Sequence, residues 1–98
     1  MLYRAAQEAL NNALRHAGSR SIRVGLSVRR DWVQLEVIDD GTGFAVLDRL
    51  DRLALDGHLG LAGLHQRVER AGGRLIVISA PGQGTAVRVE APMIQAQL

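Results

Sequence analysis

The chain is expected to fold as an α+β two-layer sandwich, with helices on one face of a mixed, mostly antiparallel sheet. Apolar residues first recur at helical spacing, then alternate through two strands, and then repeat the same helix–strand–strand cycle. Glycines and short polar turns fall at the joints between these stretches. With 98 residues, 47% of them hydrophobic, the chain can bury one modest core and is expected to form one domain over residues 1–98.

Leu2, Ala6, Ala9, Leu10, Ala13, Leu14 and Ala17 share a helical stripe, and Gly18 stops the helix. In SIRVGLSVR, Ile22, Val24, Leu26 and Val28 alternate with polar or small residues, the pattern of a half-buried strand. Arg30 and Asp31 make a short turn, and WVQLEVI alternates again, giving an antiparallel hairpin. Ala45 to His58 carries weak helical signals among charges and reads as a loop. A second amphipathic helix over Gly60 to Ala71 buries Leu61, Leu64, Val68 and Ala71 and ends at Gly72 and Gly73. RLIVISA, PGQG and TAVRVEA form a second hairpin, and residues 93–98 read as a frayed tail.

Composition excludes several classes. No apolar run approaches the ~20 residues of a membrane span, and no signal peptide opens the chain. Cysteine is absent, so neither disulfides nor cysteine-ligated zinc contribute. A cytoplasmic location is the expectation. All 12 basic residues are arginine, yet the formal charge is only +2 and acids are interleaved with them, which argues against nucleic acid as a partner.

Three constellations carry chemistry. Glu8, Asn12 and Arg15 fall at i, i+4 and i+7, on one face of the first helix. Magnesium takes oxygen ligands and keeps several waters, and an asparagine carbonyl supplies one oxygen without adding charge. Arg15 offers a fork of donors for phosphate, and Glu8 a base or orienting acceptor. A solvated helix face explains the same residues, but it does not explain the Asn11–Asn12 pair, since asparagine is a poor helix former.

The second constellation, DDGTGF over Asp39 to Phe44, follows a strand directly. Asp39 can accept from the exocyclic amine of adenine, where guanine presents a carbonyl. A glycine turn capped by aspartate is the plain alternative. Third, Gly60 and Gly63 open the second helix, where free N–H groups and the helix dipole favour an anion. Close helix–sheet packing explains those glycines equally well.

In this order the motifs resemble a known family. QEALNNALRHA is similar to the N box of sensor histidine kinase ATP-binding domains, closest in spelling to the NarL-associated subfamily of the GHKL superfamily. DDGTGF resembles the G1 box, GLAGLHQRVERAGG the G2 region, and SAPGQGTAVRVEAP the closing hairpin with its Gly84-Thr85 pair. The resemblance spans nearly the whole chain. It implies the Bergerat-type ATP-binding fold, ATP with Mg2+, and phosphoryl transfer to a histidine. It implies Asn12 as the metal ligand and Glu8 as the polar residue beside the γ-phosphate. Arg15, His16, Gly60, Leu61 and Gly63 are implied at the phosphates, and Asp39, Gly41, Gly43 and Thr85 at the adenine. A lid is implied over about 45–59. Asn12 and Asp39 would then line opposite ends of one cleft.

The resemblance also marks departures. The family's phosphoacceptor histidine precedes an acidic residue on a dimerising helix, whereas the histidines here read His16-Ala17, His58-Leu59 and His65-Gln66. The expected partners are therefore a separate dimerisation and phosphoacceptor domain and a response regulator downstream. No membrane contact is expected of this segment. The family's ATP domain normally has a strand and a helix before the N box, so an N-terminally shortened domain with an unpaired sheet edge is expected. Two other readings are a sigma-factor-regulating serine kinase of the same superfamily and a degenerate protein-binding module that no longer uses ATP.

Overall fold

The computed structural model describes residues 2–16, 21–44 and 59–93, without the side chains of Asn12, Arg15, His16 and Leu59. Its elements are α1 (Leu2–His16), β1 (Ile22–Arg29), β2 (Trp32–Asp39), α2 (Leu59–Arg70), β3 (Arg74–Ser79) and β4 (Thr85–Pro92). The sheet has the order β1-β2-β4-β3, and all of its pairings are antiparallel. The sandwich read from the sequence is the observed fold. The lid reading at 45–58 and the tail beyond Met93 lie outside the described residues, and Leu59 already belongs to α2.

The core lies between the helices and one sheet face. Leu61, Leu64 and Val68 of α2 are fully buried against Leu35, Val37, Leu75, Val87 and Val89. Burying a side chain of this size contributes about 1.5–3 kcal/mol. In α1 the buried residues are Leu2, Ala5, Ala9 and Ala13, with Ala6 and Leu10 partly buried against the core. Small alanines let this helix lie close to the sheet. Leu14, expected on the buried stripe, is 72% exposed. The stripe is turned toward Ala5, because the helix packs on β2 and β4 and also against α2.

That placement explains a second departure. Val24, Leu26 and Val28 point to the helix-covered face, as their pairing with Val37, Leu35 and Val33 requires. They are nevertheless 54–57% exposed, not half-buried. β1 is an edge strand, and both helices sit over the other strands. Alternation in a sequence marks which residues share a face but not whether anything covers that face.

Turns follow the residue chemistry. Arg30 takes a left-handed φ of 51° in the two-residue β1–β2 turn. At the end of α2, Gly72 has φ 76°, and Gly73 N–H donates to Val68 O at 2.9 Å, closing the helix with a glycine cap. A Cβ on Gly73 would collide with Glu90 O, so this glycine also lets the chain pass against β4.

Candidate functional site

One rung of the sheet carries the chemistry. Ile22, Asp39, Thr85 and Ser79 are successive cross-strand partners on β1, β2, β4 and β3. By alternation they lie on the helix-covered face, two residues beyond the rung of Val24, Val37, Val87 and Val77. The apolar core therefore ends in a polar row. Asp39 is 7% exposed and Thr85 5%, the buried polar residues among those described.

Asp39 is half satisfied. Its Oδ1 accepts from Gly41 N–H at 2.9 Å, the local turn that aspartate favours. Its Oδ2 has no hydrogen bond among the described residues. A buried carboxylate oxygen without a donor is costly, and a bound N–H group would remove that cost. Asp40 faces the other way. Its Oδ1 accepts from Ser21 N–H at 3.0 Å and pins the start of β1.

The DDGTGF loop and the β3–β4 turn form one unit. Gly82 N–H donates to Thr42 O at 2.6 Å, and Phe44 N–H donates to Ser79 Oγ at 2.9 Å. Gly43, at φ 65°, lies so close that a Cβ would collide with Ala80 O and reach Gly84 O at 2.8 Å. Gly84, at φ 73°, presses on the backbone of Asp39, and a Cβ there would collide with Asp39 O. A shallow hollow of about 210 Å³ opens at this end of the sheet toward the uncovered face, lined by Ile38, Ile78 and Ala86 of that face as well as by Asp39, Ser79, Gly84 and Thr85. A larger one of about 500 Å³ lies at the far end, around Trp32 and Arg29, away from these groups.

The first and third constellations also meet. A Cβ on Gly60 would collide with Glu8 Oε2, so the Glu8 carboxylate lies against the first turn of α2. That is where the helix dipole favours negative charge. Among the described residues, Gly63 has only the Arg67 guanidinium near it, at 3.6 Å from a built Cβ. Leu61 is buried in the core, which leaves its backbone N–H, not its side chain, for a ligand. Asn12, Arg15 and His16 lie in the second half of α1, and their side chains are outside the described set. No group of three or more His, Cys, Asp or Glu that could hold a metal occurs among the described residues.

Ser79 was missed in the sequence reading. The PGQG turn alone would set Ala80 opposite Thr85, so only the β3–β4 register brings Ser79 to face it.

Known proteins share this sequence and fold. Residues 1–95 match the family described as histidine kinase-, DNA gyrase B- and HSP90-like ATPase. The chain is 38% identical over 93 residues to the sensor histidine kinase YhcY of Bacillus subtilis, covering 95% of this chain and 24% of that protein. It is 37% identical over 93 residues to the sensor histidine kinase NarS of Mycobacterium tuberculosis, covering 95% and 21%. The chain thus spans about a quarter of the length of the relatives it matches. Among solved structures, the histidine kinase domain of a blue-light activated kinase from Erythrobacter litoralis superposes with a TM-score of 0.73 at 33% identity, covering 96% of this chain and 44% of that one. The polar rung, the glycine-closed loop and these likenesses converge: the chain belongs to the histidine kinase-, DNA gyrase B- and HSP90-like ATPase family, as an ATPase domain of the sensor-kinase kind.

Proposed function

We propose that this domain binds ATP with magnesium and presents the γ-phosphate to a histidine on a separate dimerisation domain of a two-component sensor kinase. The observation that carries the reading is Asp39. It is a buried carboxylate with Oδ1 held by Gly41 and Oδ2 awaiting a donor, at the mouth of a glycine-closed loop. The exocyclic amine of adenine is such a donor. The family match over residues 1–95 supports the same ligand.

Each residue then has a task. Asp39 and Thr85 take the purine edge, while Gly41 and Gly43 let the base lie close to the loop. The first turn of α2 receives phosphate oxygens on the free N–H groups around Gly60 and Leu61, and Gly63 leaves room beside that turn. Arg15 and His16 contact the phosphates, and Asn12 gives one oxygen to the magnesium, which neutralises charge on the phosphates when bound. The transfer breaks the bond between the γ-phosphorus and its bridging oxygen and forms one to an imidazole nitrogen. Such chemistry needs positioning and charge neutralisation more than covalent help. Glu8, already beside Gly60, orients the incoming imidazole by accepting from its other ring nitrogen. A response regulator is the downstream acceptor.

Calorimetry with Mg-ATP tests the reading. The wild-type chain should release heat on binding. Asp39→Asn should weaken ATP at least about tenfold, the scale of one lost charge-assisted hydrogen bond. Asn12→Asp should mainly alter the magnesium-dependent part. The isolated chain should form no stable phosphohistidine. Absence of binding by wild type at high protein concentration, or wild-type affinity in both variants, would refute the assignment.

A further inference from the structure

We infer that Ser79 sets the hydrogen-bond polarity of the purine site: it consumes the hydroxyl proton of Thr85, so that Thr85 faces Asp39 and the ligand as an acceptor only. The inference rests on the ATP-binding reading and adds to it a residue that determines base selectivity.

The argument is a proton count. Among the described residues, Ser79 Oγ makes three contacts, each at 2.9 Å: Phe44 N–H, Gly84 O and Thr85 Oγ1. A hydroxyl has one proton to donate and two lone pairs to accept with. The Phe44 amide can only donate, so it occupies one lone pair. The Gly84 carbonyl can only accept, so the Ser79 proton goes there. One lone pair remains, and the bond to Thr85 forms only if Thr85 is the donor. In the reverse arrangement Ser79 donates to Thr85, and Ser79 Oγ faces Gly84 O at 2.9 Å with no proton between them. That costs one hydrogen bond and sets two acceptors against each other, so the first arrangement wins.

Thr85 is thereby left with lone pairs alone. It stands directly opposite Asp39 in the β2–β4 pairing, and Asp39 as a carboxylate is also acceptor-only. Two adjacent acceptors, both nearly buried, form an edge that accepts donors and repels carbonyls. A 6-amino purine satisfies it directly, or through a water whose protons are directed by the two acceptors. At position 6 a 6-oxo purine places oxygen against oxygen, and its N1–H is the one donor it offers this edge in return. Without the Ser79 hydroxyl, the Thr85 proton is released. It can turn to a 6-oxo group, or to Asp39 Oδ2 in competition with the adenine amine. Either outcome erodes the preference.

The test compares ATP with inosine triphosphate, which carries oxygen at position 6, on wild type, Ser79→Ala and Ser79→Thr. Wild type should prefer ATP. Ser79→Ala should lower the ATP-to-ITP affinity ratio by about tenfold, and Ser79→Thr, which keeps a hydroxyl, should hold it near the wild-type value. A merely structural serine would weaken both nucleotides equally and leave the ratio unchanged, and that result overturns the inference. Proton NMR of the wild-type chain gives a reading independent of the variant's folding. The Thr85 hydroxyl proton should exchange slowly and show a contact to the Ser79 Hβ protons. A slow Ser79 hydroxyl proton directed at Thr85 overturns it. Failure of wild type to bind either nucleotide refutes the ATP reading instead, and the NMR outcome still decides the polarity.

Discussion

Replacing Gly84 by alanine should damage this domain far more than the same change at Gly82, although both are glycines of one turn. Each has a left-handed φ, 73° at Gly84 and 78° at Gly82. An alanine in that conformation costs about 1–2 kcal/mol, and this term is common to both. The surroundings differ. Among the described residues, nothing lies within 4 Å of a Cβ built at Gly82. At Gly84 the Cβ collides with Asp39 O and comes within 3.1 Å of both Asp39 C and Asp40 Cα. Those atoms are backbone, at the end of a central strand, and cannot swing aside as a side chain could. Overpacking of this kind adds about 1–3 kcal/mol. The Gly84→Ala total is then about 2–5 kcal/mol, against a stability of ~5–15 kcal/mol for a small domain. At roughly 4–8 °C per kcal/mol in this size range, its melting point should fall at least about 8 °C. Urea denaturation of both variants, with the midpoint difference converted through the common m-value, isolates the steric term. Equal destabilisation within about 0.5 kcal/mol would refute the close approach between Gly84 and Asp39.

Other perturbations have different signs. Leu64→Ala removes a fully buried side chain of α2 and should cost about 2–5 kcal/mol in chemical denaturation. Leu26→Ser, on the uncovered edge strand, should change stability by only about 0.5 kcal/mol or less in the same assay. Gly60→Ala meets only the end of the Glu8 side chain, which can move. It should therefore be neutral or gain up to about 1 kcal/mol from helix propensity in a thermal melt, while displacing Glu8 from the helix start.

Much of this architecture was legible in the sequence because its elements announce themselves locally. Strand alternation placed Asp39 at the end of β2, and the glycine pair placed the end of α2. The rotation of α1 was not legible. Alanine occurs at positions 5, 6, 9 and 13 alike, so apolar spacing alone cannot choose between the Ala5 and Leu14 faces. The exposure of Val24, Leu26 and Val28 was hidden for a similar reason: it depends on where helices from elsewhere in the chain come to rest. In the site, Asp39 and Thr85 were readable singly, whereas Ser79 gains its meaning only from the β3–β4 register. The Glu8–Gly60 contact joins the two helices, and no local pattern encodes it.

The strand order has a consequence for how the site comes into being. Each half of the chain is a helix followed by its own hairpin, α1 with β1–β2 and α2 with β3–β4. Each hairpin can zip from its own turn, but the β2–β4 seam joins partners some 46 to 60 positions apart, such as Asp39 with Thr85 and Trp32 with Pro92. Non-local pairings of this kind close late, after the chain has given up loop entropy. Asp39 comes from the first half, and Ser79 and Thr85 from the second. On the proposed ATP-binding reading, neither half-domain carries the whole recognition edge, so a nucleotide would act on this protein as a clasp across its final seam.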